Sequence, residues 1–313
     1  MFTRLSIPTP FQIGPVNAYV AGRTLVDPGP DSEEAWSTLL DRLEARGLHP
    51  ADVDQVLVTH PHPDHFGLAH RLRDAGARVL ASPTAASIMA DFPSRLAYEQ
   101  SFFASYFDRC GMAESTARTV TELPEAFLPY AGSVETDREL EPDDVVVVAD
   151  EPVTVEGIEG HAPGELLFAH EDGDTRRAIV GDNVLGDITP NPFLQPPPES
   201  GGSRPRVLPA YNRSLRWLRD QGYDEFLTGH REPVADPASR IDDVMAEHDE
   251  RTAEVRGIVD GPTTPVEVME ALFGDLPATE YFAGMSEAVG YLDVLEARGE
   301  VTPREEGGLI VYE

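Results

Sequence analysis

The apolar run Val56-Leu57-Val58 passes directly into Thr59-His60-Pro61-His62-Pro63-Asp64-His65-Phe66-Gly67, and this junction constrains the fold more than any other stretch. A short β-branched run of this kind has the length and character of a buried strand. His60, His62, Asp64 and His65 therefore fall at a strand's C-terminal end, where a sheet delivers side chains into an open crevice. Imidazole nitrogen suits zinc or iron, and a carboxylate adds the negative charge needed by a site that holds more than one cation. Pro61 and Pro63 stiffen the loop, so the ligands lose less freedom when metal binds. The alternative is a solvated polar turn with incidental histidines, and the crowding of four ligand-type residues after one strand weighs against it.

The flanking chain alternates strands and helices. Residues 11–13, 17–20 and 24–26 are short apolar runs between turn residues and read as antiparallel strands of a sheet edge. Asp27 closes the last of them before a glycine turn, either as a plain turn residue or as the acceptor for a ligand histidine. Residues 32–47 carry Ala35, Leu39, Leu40 and Leu43 on one helical stripe and stop at Gly47. A strand over 53–58, a helix over 68–75 and a strand over 78–81 follow, which predicts an α/β architecture with helices outside the sheets. From 92 to about 139 the pattern is helical without strands. Phe102, Phe103, Tyr106 and Phe107 there have core spacing, although an insertion after a metal loop is also where a substrate lid would sit.

Strands resume at 145–148 and 153–155, and three more ligand-type residues then follow apolar runs: Gly160-His161, Gly181-Asp182 and Gly229-His230. A histidine after a glycine is ordinary loop chemistry by itself. Three such residues added to the first cluster make a set. Between the last two, residues 189–209 are rich in Pro, Gly and Ser and are expected to form a long surface loop bordering the mouth of the site. A helix over 211–221 follows.

A chain of 313 residues suits one large domain or two unequal ones. Its formal charge of −32 arises from 56 acidic residues against 24 basic ones, all of them arginine. Self-repulsion of that size opposes compaction in dilute buffer and is screened at molar salt, so adaptation to a high-salt cytoplasm is expected. An acidic surface made for a basic partner is the weaker alternative, because the acids run through the whole chain. Cys110 is the only cysteine, which excludes an internal disulfide and a cysteine zinc cluster. Residues 1–12 contain no long apolar segment, and no stretch approaches the roughly eighteen apolar residues of a membrane span, so the expected location is cytoplasmic, with no membrane partner.

In that order, His60, His62, Asp64, His65, His161, Asp182 and His230 make the chain resemble the metallo-β-lactamase superfamily over roughly residues 1–235. The resemblance implies an αββα sandwich carrying two divalent metal ions at the edge of its sheets, zinc first, with iron or manganese as alternatives. His60, His62 and His161 would bind the first ion, Asp64, His65 and His230 the second, and Asp182 would bridge. Asp182 stands where one class of zinc β-lactamases has cysteine, and His62 where oxygen-reducing flavodiiron proteins have a carboxylate. With Asn17-Ala18-Tyr19 and Tyr211 to Leu215, these positions look like the glyoxalase II-type hydrolases. Two cations lower the pKa of a bridging water from about 15.7 towards neutrality, so a bridging hydroxide is the expected nucleophile, oriented by Asp64 as the catalytic residue.

Residues 1–237 are thus expected to form the hydrolase domain, with a helical insertion at about 92–139, and residues 238–313 a winged-helix-like domain of three helices and a terminal hairpin. A similar module follows the hydrolase domain in a group that includes an endoribonuclease, which raises a nucleic-acid reading. From 239 to 313, however, 18 acidic residues face 5 arginines, a net of −13, and phosphate binding needs clustered basic residues. A packing or homodimer-forming cap is the preferred role. The expected function is hydrolysis of a small thioester or ester, with a nuclease, a lactonase and a mono-iron sulfur dioxygenase as alternatives.

Overall fold

Consecutive side chains of the first sheet enter different cores. In the computed structural model, which describes residues 1–313, this sheet orders β1 (Thr3–Ile7), β2 (Val16–Ala21), β3 (Thr24–Val26), β4 (Gln55–Leu57), β5 (Arg78–Ala81) and β6 (Arg138–Glu139) in sequence. The first three are antiparallel and the rest parallel. The crossovers carry α1 (Glu33–Glu44), α2 (Pro63–Phe66), α3 (Ala69–Asp74) and α4 (Pro83–Ala90). Val20, Leu25, Val56 and Val79 pack with Leu39, Leu43, Leu72 and Met89 of these helices. Their chain neighbours Tyr19, Val26, Leu57 and Leu80 pack with Val146, Val155, Phe168 and Ile179 of a second sheet. Burying each such side chain stabilises the fold by roughly 1.5–3 kcal/mol.

The second sheet contains β7 (Val145–Val148), β8 (Glu151–Gly157), β9 (Leu166–Asp172), β10 (Thr175–Gly181) and β11 (Glu225–Thr228), ordered β11-β10-β9-β8-β7. Only the β10–β11 pair is parallel. The architecture is the expected αββα sandwich. α5 (Phe92–Arg109) and α6 (Glu114–Glu122) lie between β5 and β6, α7 (Val207–Asp220) lies between β10 and β11, and α8 (Pro237–Ile258), α9 (Pro265–Phe273) and α10 (Tyr281–Arg298) follow β11, with a final hairpin of β12 (Pro303–Glu306) and β13 (Leu309–Tyr312). No helix is long and apolar enough to cross a membrane.

Two local expectations are corrected, and one helix is added. Residues 11–13 lie in a turn closed by the Gly14 N–H on the Phe11 carbonyl, and the edge strand is β1, whose Leu5 and Ile7 alternate inward. Pro8 and Pro10 remove ladder donors and push the strand upstream. α4 has too little amphipathic pattern to stand out, but Ser82 caps it by accepting from the Ala85 N–H, with Pro83 in its first turn. The stretch 92–139, expected to be helical without strands, ends in β6, whose Arg138 and Glu139 pair with β5 but carry no apolar signal.

The chain forms two compact units. One comprises residues 1–93, 127–190 and 217–241, and the other 94–126, 191–216 and 242–313. The C-terminal segment thus shares its unit with most of the expected insertion and with the proline-rich stretch. In this second unit Phe103 and Phe107 meet Phe282 edge-on, so the aromatic stripe is core. Leu194 is buried and its N–H donates to Ser286 Oγ, while Tyr98 Oη donates to the Pro197 carbonyl, so the stretch is pinned rather than purely a surface loop. Arg204 makes a double hydrogen bond to the buried Asp293 at 2.6 and 2.7 Å and donates to Tyr106 Oη. Burial pushes the Cys110 thiol up to about 12, which leaves it unreactive.

Candidate metal centre

All seven residues singled out in the sequence fall in the first unit and converge. β4 ends at Leu57, and the chain turns through residues 58–62 into α2, with His62 at the N-cap and Pro63 in the first turn. Proline fits there because its missing N–H would have no helical partner. That turn puts His60 and His62 before the helix and Asp64 and His65 on it. His161 stands between β8 and β9, Asp182 directly after β10, and His230 two residues after β11. β10 and β11 run parallel, so Asp182 and His230 emerge at the same end.

The ligand-type atoms form two linked groups. His62 Nδ1 lies 3.1 Å from His60 Nε2 and 3.1 Å from His161 Nε2. Metal–nitrogen bonds of about 2.0–2.1 Å in tetrahedral geometry separate neighbouring ligand atoms by roughly 3.3 Å, close to this spacing. In the second group His230 Nε2 is 3.3 Å from Asp64 Oδ2. Asp182 Oδ2 stands 3.4 Å from His65 Nε2, 3.4 Å from His230 Nε2 and 3.7 Å from His161 Nε2, so one oxygen faces both groups. His65 Nε2, His230 Nε2 and Asp182 Oδ1 are buried without a hydrogen-bond partner. Buried polar atoms left in that condition are costly, and the three in this cluster fit a site built for cations.

Charge is sorted between the groups. Burial, reinforced by the neighbouring histidines, pushes His60 well below the usual imidazole range and His62 down to about 3, so both offer lone pairs. Burial also works against ionising Asp64 and Asp182, but His65 and His230 outweigh it and hold both as carboxylates. Conversely, burial disfavours charge on His65 and His230, and the carboxylates of Asp182 and Asp64 raise them despite it. The two acids thus draw positive charge into this end of the sandwich.

A second layer fixes the ring orientations. Asp27 accepts from the Thr59 N–H and, through Oδ2, from Thr59 Oγ1 at 2.6 Å and His65 Nδ1 at 2.9 Å. Thr59 Oγ1 is 3.0 Å from His60 Nδ1, so one carboxylate orients two rings, each with Nε2 turned to the centre. Of the two roles open to Asp27 in the sequence, the structure shows the bond to a histidine, His65. Glu165 escaped the sequence reading entirely. It is buried and accepts from the His161 N–H at 2.9 Å, and burial raises its carboxyl to about 8. Only its place four residues after His161 hinted at this. The glycines before Asp182 and His230 also have a reason: Gly181 has φ +53 against Thr59, and a Cβ on Gly229 would lie 2.2 Å from Asp182 Oδ1.

The metallo-beta-lactamase superfamily model matches residues 12–230, which include all seven positions. A Bacillus subtilis protein named probable metallo-hydrolase YqjP is 29% identical over 320 residues, covering 98% of this chain and 96% of that protein. A crystal structure of a metallo-beta-lactamase family protein from Thermus thermophilus matches with a TM-score of 0.79 at 26% identity, over 99% of this chain and 97% of that one. A beta-lactamase domain protein from Burkholderia ambifaria gives 0.77 at 26% identity, over 99% and 91%. With the model matching well over half its length, the chain belongs to the metallo-beta-lactamase superfamily.

Proposed function

We propose that this metallo-hydrolase is dinuclear and cleaves a small thioester or ester. His60, His62 and His161 would hold one cation, Asp64, His65 and His230 the other, with Asp182 between them. The observation that carries the reading is Asp182 Oδ2, which stands within 3.4 to 3.7 Å of imidazole nitrogens from both groups. Bound cations would supply an acidified water and a positive centre for the charge that develops on the acyl oxygen. The protein's own part is to keep His60 and His62 neutral and Asp64 ionised, so that Asp64 can orient that water. The glyoxalase II-like pattern, aspartate at 182 and histidine at 62, supports an acyl substrate. Nothing in this chemistry calls for a serine or cysteine nucleophile.

The nuclease reading draws on the three helices and hairpin of the C-terminal segment, a winged-helix-like order. α10, which would have to be the recognition helix, is buried almost continuously from Gly284 to Leu295, and its Asp293 and Glu296 are paired with arginines. A recognition helix needs an exposed basic face, so a small-molecule substrate is favoured. Metal analysis and paired assays of an S-lactoyl thioester and single-stranded RNA, in molar KCl, test the reading. Two ions per chain and thioester cleavage are expected. One iron per chain, or cleavage of RNA alone, overturns it.

A further inference from the structure

β2 carries Asn17-Ala18-Tyr19, a motif that the metal centre does not itself use. Its two polar side chains reach the turn that presents His230. Asn17 Nδ2 donates to the Thr228 carbonyl at 2.9 Å and to the Arg231 carbonyl at 2.8 Å, and Tyr19 Oη donates to the Thr228 carbonyl at 2.7 Å. The Asn17 N–H donates to the Gly229 carbonyl at 2.7 Å, and the His230 carbonyl accepts from Thr228 Oγ1 at 2.7 Å. Every carbonyl from 228 to 231 is therefore bonded, three of the four from β2. The ring is set the same way, with His230 Nδ1 2.9 Å from the carbonyl of Pro15, the residue before β2.

This turn would not hold itself. Arg231 has φ +63, a left-handed conformation that is unfavourable for a non-glycine residue. Asn17 is 4% exposed and Tyr19 1%, so their donors have no solvent to fall back on. The first group is anchored elsewhere: His60 through Thr59, and the backbone of His161 through Glu165. We infer that Asn17 and Tyr19 are positioning residues for the second cation alone, acting through the carbonyls that flank His230. This rests on the two-cation reading above. It divides the centre into an ion tied to β4 and the His161 turn, and an ion whose retention depends on the first hairpin.

The experiment is a chelator-competition titration of the full-length apoprotein with zinc, read as two stepwise dissociation constants, with His230→Ala marking which constant belongs to the second group. Losing an outer hydrogen-bond partner weakens metal binding by about 10- to 100-fold. Tyr19→Phe, which keeps shape and removes one donor, and Asn17→Ala are each expected to weaken the marked constant by that factor and leave the other unchanged. Asn17→Asp, nearly isosteric but setting a carboxylate against two carbonyls, should do the same or more. Thermal melting of each apoprotein separates folding from binding, and Tyr19→Phe keeps the test sound if an Asn17 variant does not fold. Equal weakening of both constants, or no change in either for folded Tyr19→Phe, overturns the inference while leaving two wild-type ions intact. A wild-type protein that holds fewer than two ions overturns the underlying reading, and this inference with it.

Discussion

Replacing Gly229 by alanine should disable the centre without substituting any of its seven His and Asp residues. The new Cβ would stand 2.2 Å from Asp182 Oδ1 and 2.8 Å from His65 Cε1, where ordinary contact begins at 3.4 Å. The backbone cannot retreat, because the Gly229 N–H is bonded to the Gly181 carbonyl and its own carbonyl to the Asn17 N–H, both at 2.7 Å. The Asp182 carboxylate must therefore move by about an ångström. Metal–ligand distances tolerate about 0.2 Å, and a misplacement of about 1 Å costs about a hundredfold in rate. We expect kcat/KM to fall about a hundredfold, about 2.7 kcal/mol of transition-state stabilisation, together with loss of bound metal. Hydrolysis of the thioester that the wild type turns over, with metal counted in the same samples, is the measurement. A Gly229→Ala protein with wild-type metal content and rate would show that Asp182 is not held where its geometry indicates.

Three further outcomes are expected. Asp293→Ala strands Arg204, which is 12% exposed, and should destabilise the protein by about 3–5 kcal/mol in urea unfolding, whereas the double change Arg204→Met with Asp293→Leu should recover most of it. An Asp293→Ala protein as stable as wild type would contradict the pairing. Burial holds His248 down to about 4 against an ordinary 6.5, despite the opposing pull of Glu247 and Asp249, and its Nδ1 faces Asn212 Oδ1 at 2.7 Å. Because the unfolded chain takes up that proton first, the His248 contribution is full above pH 6.5 and is lost as pH falls towards 4, a decline of about 3 kcal/mol in total. His248→Gln should lose that much less stability across the same window, and identical pH profiles would refute this. With a net charge of −32, the melting temperature should rise between dilute and molar KCl, and a flat response would remove the case for salt adaptation.

The convergence of the seven His and Asp residues was legible because each carries a signal of its own type. His60, His62, Asp64 and His65 crowd one loop, and His161, Asp182 and His230 each follow a strand and a glycine. Strands β2 to β5 of the first sheet were legible from their apolar character, whereas β6, Arg138–Glu139, has no apolar residue to mark it. β1 was not legible either, because its alternation is short and the apolar residues 11–13 compete with it. The supporting residues were hidden for a different reason. Asn17 and Tyr19 act on partners up to 214 residues away, which no periodicity encodes, and Thr59 and Glu165 act on near neighbours through bonds that only the folded turns create. The proline-rich stretch misled through composition: Pro196 and Pro197 are buried, with Tyr98 donating to the Pro197 carbonyl.

The two-faced burial of β4 acts as a reading frame for the metal loop. Val56 and Val58 point into the helix-side core, Leu57 into the core between the sheets, and Thr59 continues the alternation towards Gly181. Deleting one residue from this strand would not merely shorten it. The two cores would trade side chains, and Thr59 would turn away from Asp27, taking the His60 ring with it. Deleting two would preserve the parity. In this chain the facing of His60 to His65 is therefore indexed to the sheet by the parity of β4, not by its length.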